Sequence, residues 1–164
     1  MRDNANVEEV INEVFKANKC IDVLINNAGG APLINSLDAS MNFNNAIIDL
    51  NLNSSFTVSY YVAKKMIKKS SGCVITNISS VTATRPTPGS AAYGAAKGGL
   101  VNLTKTLAVE WAPRIRVNSI ITGYIETENS LVHYGSKKDM KAVAKTIPTV
   151  SYTHLTLPTT GIVG

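Results

Sequence analysis

The sequence predicts an α/β domain built on a parallel sheet. Three observations carry that prediction. Three short, largely apolar runs read as strands: residues 21–25 (IDVLI) and 73–78 (CVITNI) as buried strands, the first of them on both faces, and 115–121 (IRVNSII) as a third. Segments of helical periodicity separate them, so strand and helix alternate along the chain. The loops that begin at Asn26, Ser79 and Thr122 hold most of the unusual residues. They follow the carboxyl ends of the three runs, where open parallel sheets bind ligands.

Each element has its own signal. Residues 7–17 carry Val7, Val10, Ile11, Val14 and Phe15 at helical spacing, with Asp3 or Asn4 as N-cap. The first strand ends in Asn26-Asn27-Ala28-Gly29-Gly30, a loop signal. Residues 38–61 read as one or two helices, the second continuing to about Lys69 before Gly72 stops it. Residues 81–90, with Pro86, Pro88 and Gly89, form a loop. A long helix spans 91–111 and ends at Pro113. Its first half is nearly all small residues, including Gly94, Gly98 and Gly99. Glycine weakens a helix, so this density points to a close backbone approach. Its second half is amphipathic through Leu100, Leu103, Leu107 and Trp111. A further loop and helix occupy about 130–147.

With 164 residues, 45% of them apolar and 16% charged, the chain can bury one core and is globular rather than disordered. No apolar run is long enough to span a membrane, and the polar, acidic start MRDNANVEEV is neither a signal nor a transit peptide. Cys20 and Cys73 border strand-like runs and read as buried free thiols of a cytoplasmic protein. His133 and His154 are isolated, so no metal site is expected. The net charge of +5 comes from lysines spread over two helix faces, Lys64 to Lys69 and Lys137 to Lys145, with no aromatic platform between them. That pattern argues against nucleic acid as a partner.

The chemistry concentrates at Tyr93 and Lys97, in AAYGAAKGGL. Residues four apart share a helix face. A phenol titrates near pH ~10 and is a poor base at neutrality. An ammonium about 4 Å away, at an effective dielectric of about 20, favours the phenolate by ~4 kcal/mol and makes the phenol a usable general acid and base near pH 7. Spacing alone selects nothing, because Tyr60/Lys64, Tyr61/Lys65 and Tyr134/Lys138 share it.

Order along the chain selects. Asn26-Asn27-Ala28-Gly29 follows the first strand, Asn51 lies in IDLNLN, Ser80 ends TNISS thirteen residues before Tyr93, and Arg116-Val117-Asn118 opens the third strand. Together these motifs resemble the short-chain dehydrogenase/reductase family, of the 3-oxoacyl-carrier-protein-reductase-like type, over about residues 3–148. Singly, Asn51 fits a helix cap, Ser80 loop polarity and Lys97 surface charge. The other three Tyr/Lys pairs lie before Ser80 or beyond the last strand. Asn77 and Asn118 read as structural.

The resemblance implies a partial Rossmann-like, doubly wound parallel sheet with flanking helices. It implies hydride transfer between NAD or NADP and a secondary alcohol/ketone pair. Tyr93 would be the general acid/base, and Ser80 would hydrogen-bond the reacting oxygen. Lys97 would depress the Tyr93 pKa and bind ribose hydroxyls, and Asn51 would hold a proton-relaying water. Asn27, Ala28, Gly29, Ile125 and Thr127 would line the cofactor, with Asn27 near the adenosine ribose. The helices through Tyr61 and from Ala91 resemble the family's dimer-forming helices, which implies a homodimer or homotetramer. Two other classes are a non-catalytic dinucleotide-binding or scaffold relative and a generic interaction module. Neither accounts for all four polar groups being present together.

The chain also departs from the family pattern. No glycine precedes Gly29, so the family's glycine-rich pyrophosphate turn is absent, and Met1 is expected to be an internal methionine of a longer protein. Residues 1–149 then form the central and C-terminal part of one dinucleotide-binding domain. Thr122 precedes Gly123 where the family usually has proline. Residues 150–164 depart altogether: VSYTHLTLPT resembles the in-frame translation of a transposase-type sequencing adapter, and the segment is expected to be non-native. The substrate, and the choice of NAD or NADP, have no diagnostic motif.

Overall fold

The computed structural model describes residues 4–68, 72–125 and 136–145. In chain order they form α1 (Asn4–Asn18), β1 (Val23–Asn26), α2 (Met41–Ile48), a π-helical stretch (Asp49–Asn53) and α3 (Ser54–Met66). Then come β2 (Cys73–Ser80), a 3-10 turn (Val81–Ala83), α4 (Ala91–Glu110), β3 (Ile115–Thr122) and α5 (Lys137–Lys145). The strands pair in the order β1-β2-β3, both pairs parallel, with Leu24 opposite Ile75 and Ile75 opposite Val117. Helices therefore carry the chain from each strand to the next, as the alternating pattern predicts.

Alternation within β2 divides the sheet into two unlike faces. Cys73, Ile75, Asn77 and Ser79 are buried, while the residues between them are half-buried. The buried side packs with Ile11 of α1, Val62, Ala63 and Met66 of α3, Leu107 of α4, and Ile115 and Val117 of β3 in one core. At roughly 1.5–3 kcal/mol for each fully buried large aliphatic side chain, this cluster dominates the stability of the domain. On the opposite side Val23 and Ile25 are 58% and 62% exposed, and Arg116 and Asn118 face outward. The expectation of strands buried on both faces therefore fails for β1. Among the described residues, the elements of the core cover only the face of Leu24, Ile75 and Val117.

Smaller differences have local causes. Ser40 caps α2 by accepting from the Phe43 N–H at 3.1 Å, so the first helix of the 38–61 region starts late. Cys73 is buried, but Cys20 is exposed, which corrects the expectation for that thiol. The glycines of α4 meet what their density foretold. A Cβ at Gly94 would lie 3.2 Å from the Thr82 carbonyl, and one at Gly99 would lie 3.0 Å from the Leu52 side chain. Asp3 as a cap, the end of the α3 region at Lys69, Tyr134, and the segment 150–164 lie outside the described residues. No helix among the described residues is long and apolar enough to cross a membrane.

Candidate active site

Asn51 is fully buried in the π-helical stretch, which rules out a helix-start cap. Its Oδ1 accepts from the Gly30 N–H at 2.8 Å, and its Nδ2 donates to the Gly30 and Ile47 carbonyls, each at 2.9 Å. The widened helical turn rotates this side chain inward and clamps the loop that follows β1. Single π turns recur at functional sites. The clamp dictates a glycine beside it. A Cβ at Gly29 would stand 2.6 Å from Asn51 Oδ1 and 3.2 Å from Lys97 Nζ, and Oδ1 is already tied to Gly30 and cannot yield cheaply.

Lys97 is 4% exposed on the inner face of α4, which rules out surface charge. Its Nζ donates to the Ile78 carbonyl at 2.8 Å. Its own carbonyl accepts from Ser79 Oγ at 3.1 Å, and the Ser79 carbonyl accepts from Thr122 Oγ1 at 2.9 Å. The ends of β2 and β3 are thus tied to α4 at one residue. Burial pushes the Lys97 ammonium below its ordinary range, because the charged form loses hydration.

Tyr93 lies one turn before Lys97 on α4, and Ser80 is the last residue of β2. Burial raises the Tyr93 phenol, and hydrogen bonding to Ser80 partly offsets this. The expected depression by Lys97 is therefore absent in this geometry. Nζ sits 5.7 Å from the Tyr93 ring centroid and is engaged by Ile78 instead. Ser80 Oγ also accepts from the Thr82 N–H at 3.3 Å, which holds it at the strand end.

A cavity of about 290 Å³ is bounded by Asn27, Gly29, Tyr93, Lys97 and Ile125, together with Ile78, Ser79, Ile120 and Thr122. Five predicted residues thus share one wall-to-wall space, with Asn51 behind Gly29 and Ser80 bonded to Tyr93. Ala28 faces a second cavity of about 650 Å³, which Asn27 also borders, along with Asn26, Asp49 and Ser54. Thr127 lies outside the described residues. Ser79 and Thr122 were missed as site residues. Strand parity puts Ser79 on the buried face of Ile75, a signal legible in CVITNISS. Asn77 is structural, but it bonds side chains rather than loop backbone. It accepts from Asn26 Nδ2 at 2.8 Å and donates to Thr104 Oγ1 at 2.9 Å. Among the described residues no group of three His, Cys, Asp or Glu side chains could hold a metal ion.

Residues 1–133 match the family model described as short chain dehydrogenase. The oxidoreductase UcpA of Salmonella typhimurium is 37% identical over 156 residues, covering 90% of this chain and 59% of UcpA. The 3-oxoacyl-[acyl-carrier-protein] reductase FabG of Thermotoga maritima is 39% identical over 129 residues, covering 76% of this chain and 51% of FabG. A gluconate 5-dehydrogenase from Burkholderia cenocepacia, solved in complex with NADP and tartrate, superposes with a TM-score of 0.83 at 31% identity. That match covers 89% of this chain and 57% of the dehydrogenase. The chain thus spans between half and three-fifths of the length of these relatives. The parallel α/β sheet, the ordered site residues and these matches establish that the chain belongs to the short chain dehydrogenase family.

Proposed function

We propose that this chain carries the proton-transfer half of an NAD(P)-dependent oxidoreductase that interconverts a secondary alcohol and a ketone. The observation that carries the proposal is the convergence of Tyr93, Lys97 and Gly29 on one cavity at the carboxyl ends of parallel strands, with Ser80 bonded to Tyr93.

The residues fit the nicotinamide-ribose end of such a cofactor. Lys97 projects a buried ammonium, a group with three donors, beside Gly29, whose missing Cβ leaves room for a close approach. Asn27 borders both cavities, which suits an elongated ligand running past it from one to the other. The relatives' descriptions, one of them naming NADP, support the same class of cofactor. When bound, the nicotinamide supplies or accepts the hydride.

The chain's own residues handle the proton. Tyr93 Oη gives it to the reacting oxygen in reduction and takes it in oxidation. Ser80 Oγ steadies the charge that develops on that oxygen. A cation near the phenol is what a buried tyrosine needs to work near neutrality; Lys97 would supply it and would hold the ribose hydroxyls of the bound cofactor. Asn51 fixes the loop of Gly29 and Gly30 and would hold a water between Lys97 and solvent.

The exposed Phe56 and Tyr60 of α3 and Val109 of α4 support assembly as a homodimer or homotetramer. The bare face of Val23 and Ile25 supports a longer protein that covers it. Cytoplasm is the proposed compartment, and Thr127 is proposed to join Ile125 at the carboxamide side. The test is turnover of secondary alcohols and ketones with NADH and NADPH by the full-length protein that carries this sequence. Loss of hydride transfer in Tyr93→Phe supports the proposal, and absence of any dinucleotide-dependent turnover in the wild type overturns it.

A further inference from the structure

We infer that Thr122 is a positioning residue for the cofactor side of the site, acting through its hydroxyl. It is the last residue of β3, where the regular ladder with β2 ends at the Ser80–Thr122 pair. Its Oγ1 adds one more tie there, to the Ser79 carbonyl at 2.9 Å. Ser79 in turn bonds the Lys97 carbonyl through Oγ, and the carbonyl of the preceding residue, Ile78, accepts from Lys97 Nζ. The end of β3 is therefore tied to Ser79, the residue whose side chain holds the lysine's backbone.

Past this tie the chain runs through Gly123, where an added Cβ would meet nothing within 4 Å, and reaches Ile125 on the wall of the same cavity. The direction in which residues 123–125 leave the sheet sets the position of that wall. The Thr122 hydroxyl supplies a restraint at this point from outside the backbone. A threonine hydroxyl can be removed with little change of shape, which makes the inference testable. It rests on the proposed nicotinamide site for its functional meaning, but not for its structural content.

The experiment compares Thr122→Val, Thr122→Ala and Thr122→Ser with the wild type by amide hydrogen exchange, and then by turnover kinetics in the full-length protein. Thr122→Val is expected to raise exchange at residues 123–125 about tenfold, the scale of one lost hydrogen bond, with amides of α4 unchanged. Thr122→Ser is expected to stay within about twofold of the wild type on the same scale. In turnover, Thr122→Val should raise KM for the dinucleotide about tenfold with kcat nearly unchanged, and Thr122→Ser should restore it. If Thr122→Val does not fold, the Ala and Ser pair decides by the same readouts. Equal exchange in all variants, or a rise spread evenly over the chain, overturns the inference. Wild-type protein without dinucleotide-dependent turnover would sink the proposed function, while the exchange comparison would still decide whether Thr122 positions the loop.

Discussion

Two tyrosine–lysine pairs of identical spacing sit on neighbouring helices and behave in opposite ways. On α3, Lys64 Nζ reaches Tyr60 Oη at 3.4 Å and lies 5.0 Å from its ring centroid, and Tyr60 is 46% exposed. On α4, Lys97 is buried, bonds Ile78 and stays 5.7 Å from the Tyr93 ring centroid. The exposed pair thus makes the contact that the spacing predicts, and the buried pair does not. Water makes the first contact cheap to form and of little consequence. Burial strips hydration from the second pair, raising the phenol and lowering the ammonium. Helical spacing brings the groups together, and the strand ends decide which pair is buried beside a cavity.

The largest expected difference between the pairs is catalytic. In the full-length protein, Lys97→Met should lower turnover by about a hundredfold or more, a loss typical of removing part of an acid/base system. Lys64→Met should leave turnover unchanged. Similar losses in both variants, read by steady-state kinetics, would erase the distinction drawn between the pairs.

Stability should separate neighbours of the π stretch next. Asn51→Ala leaves the Gly30 N–H and two carbonyls without their side-chain partner, and should cost about 1–3 kcal/mol in urea unfolding. Asn53, two residues on, bonds only Asp49 at the surface, so Asn53→Ala should fall within about 0.5 kcal/mol of wild type. Gly29→Ala should cost about 1–3 kcal/mol by overpacking against Asn51 and Lys97, whereas an alanine at Gly123 meets no such contact.

The smallest effect is in titration. Burial raises the Tyr93 phenol above its ordinary value of 10.0. Its contribution to stability is therefore complete below that pH and is lost as pH rises through the folded-state value. Lys97 has the opposite sign. Its ammonium is held below 10.5, so its burial penalty is present at neutral pH and is relieved as pH rises. The ultraviolet difference between wild type and Tyr93→Phe, followed into alkali without cofactor, should show a phenol ionising later than a free tyrosine. Ionisation nearer neutrality in the free protein would mean that Lys97 already acts on it.

Much of this was legible in the sequence because it depends on local pattern. Apolar spacing from Val7 to Phe15 marked α1, and the runs at 73 and 115 marked the two longer strands. The order of Asn51, Ser80, Tyr93 and Lys97 singled out the candidate site, and the structure brings Tyr93 and Lys97 to one cavity. What was not legible depends on distant partners. Nothing in IDLNLN announces a π turn, and the partner that Asn51 meets there, Gly30, lies twenty-one residues away. The direction of Lys97 Nζ follows from the Ile78 carbonyl on another element. The outward faces of Val23 and Ile25, and the exposure of Cys20, depend on which elements lie beside β1 rather than on β1 itself.

The most direct test of the account is the pair Tyr93→Phe and Tyr60→Phe, assayed for dinucleotide-dependent hydride transfer in the full-length protein. Tyr93→Phe should lower kcat by about 10²–10⁴ while Tyr60→Phe keeps wild-type activity. Turnover in Tyr93→Phe within a few-fold of wild type would contradict the assignment of proton transfer to this tyrosine.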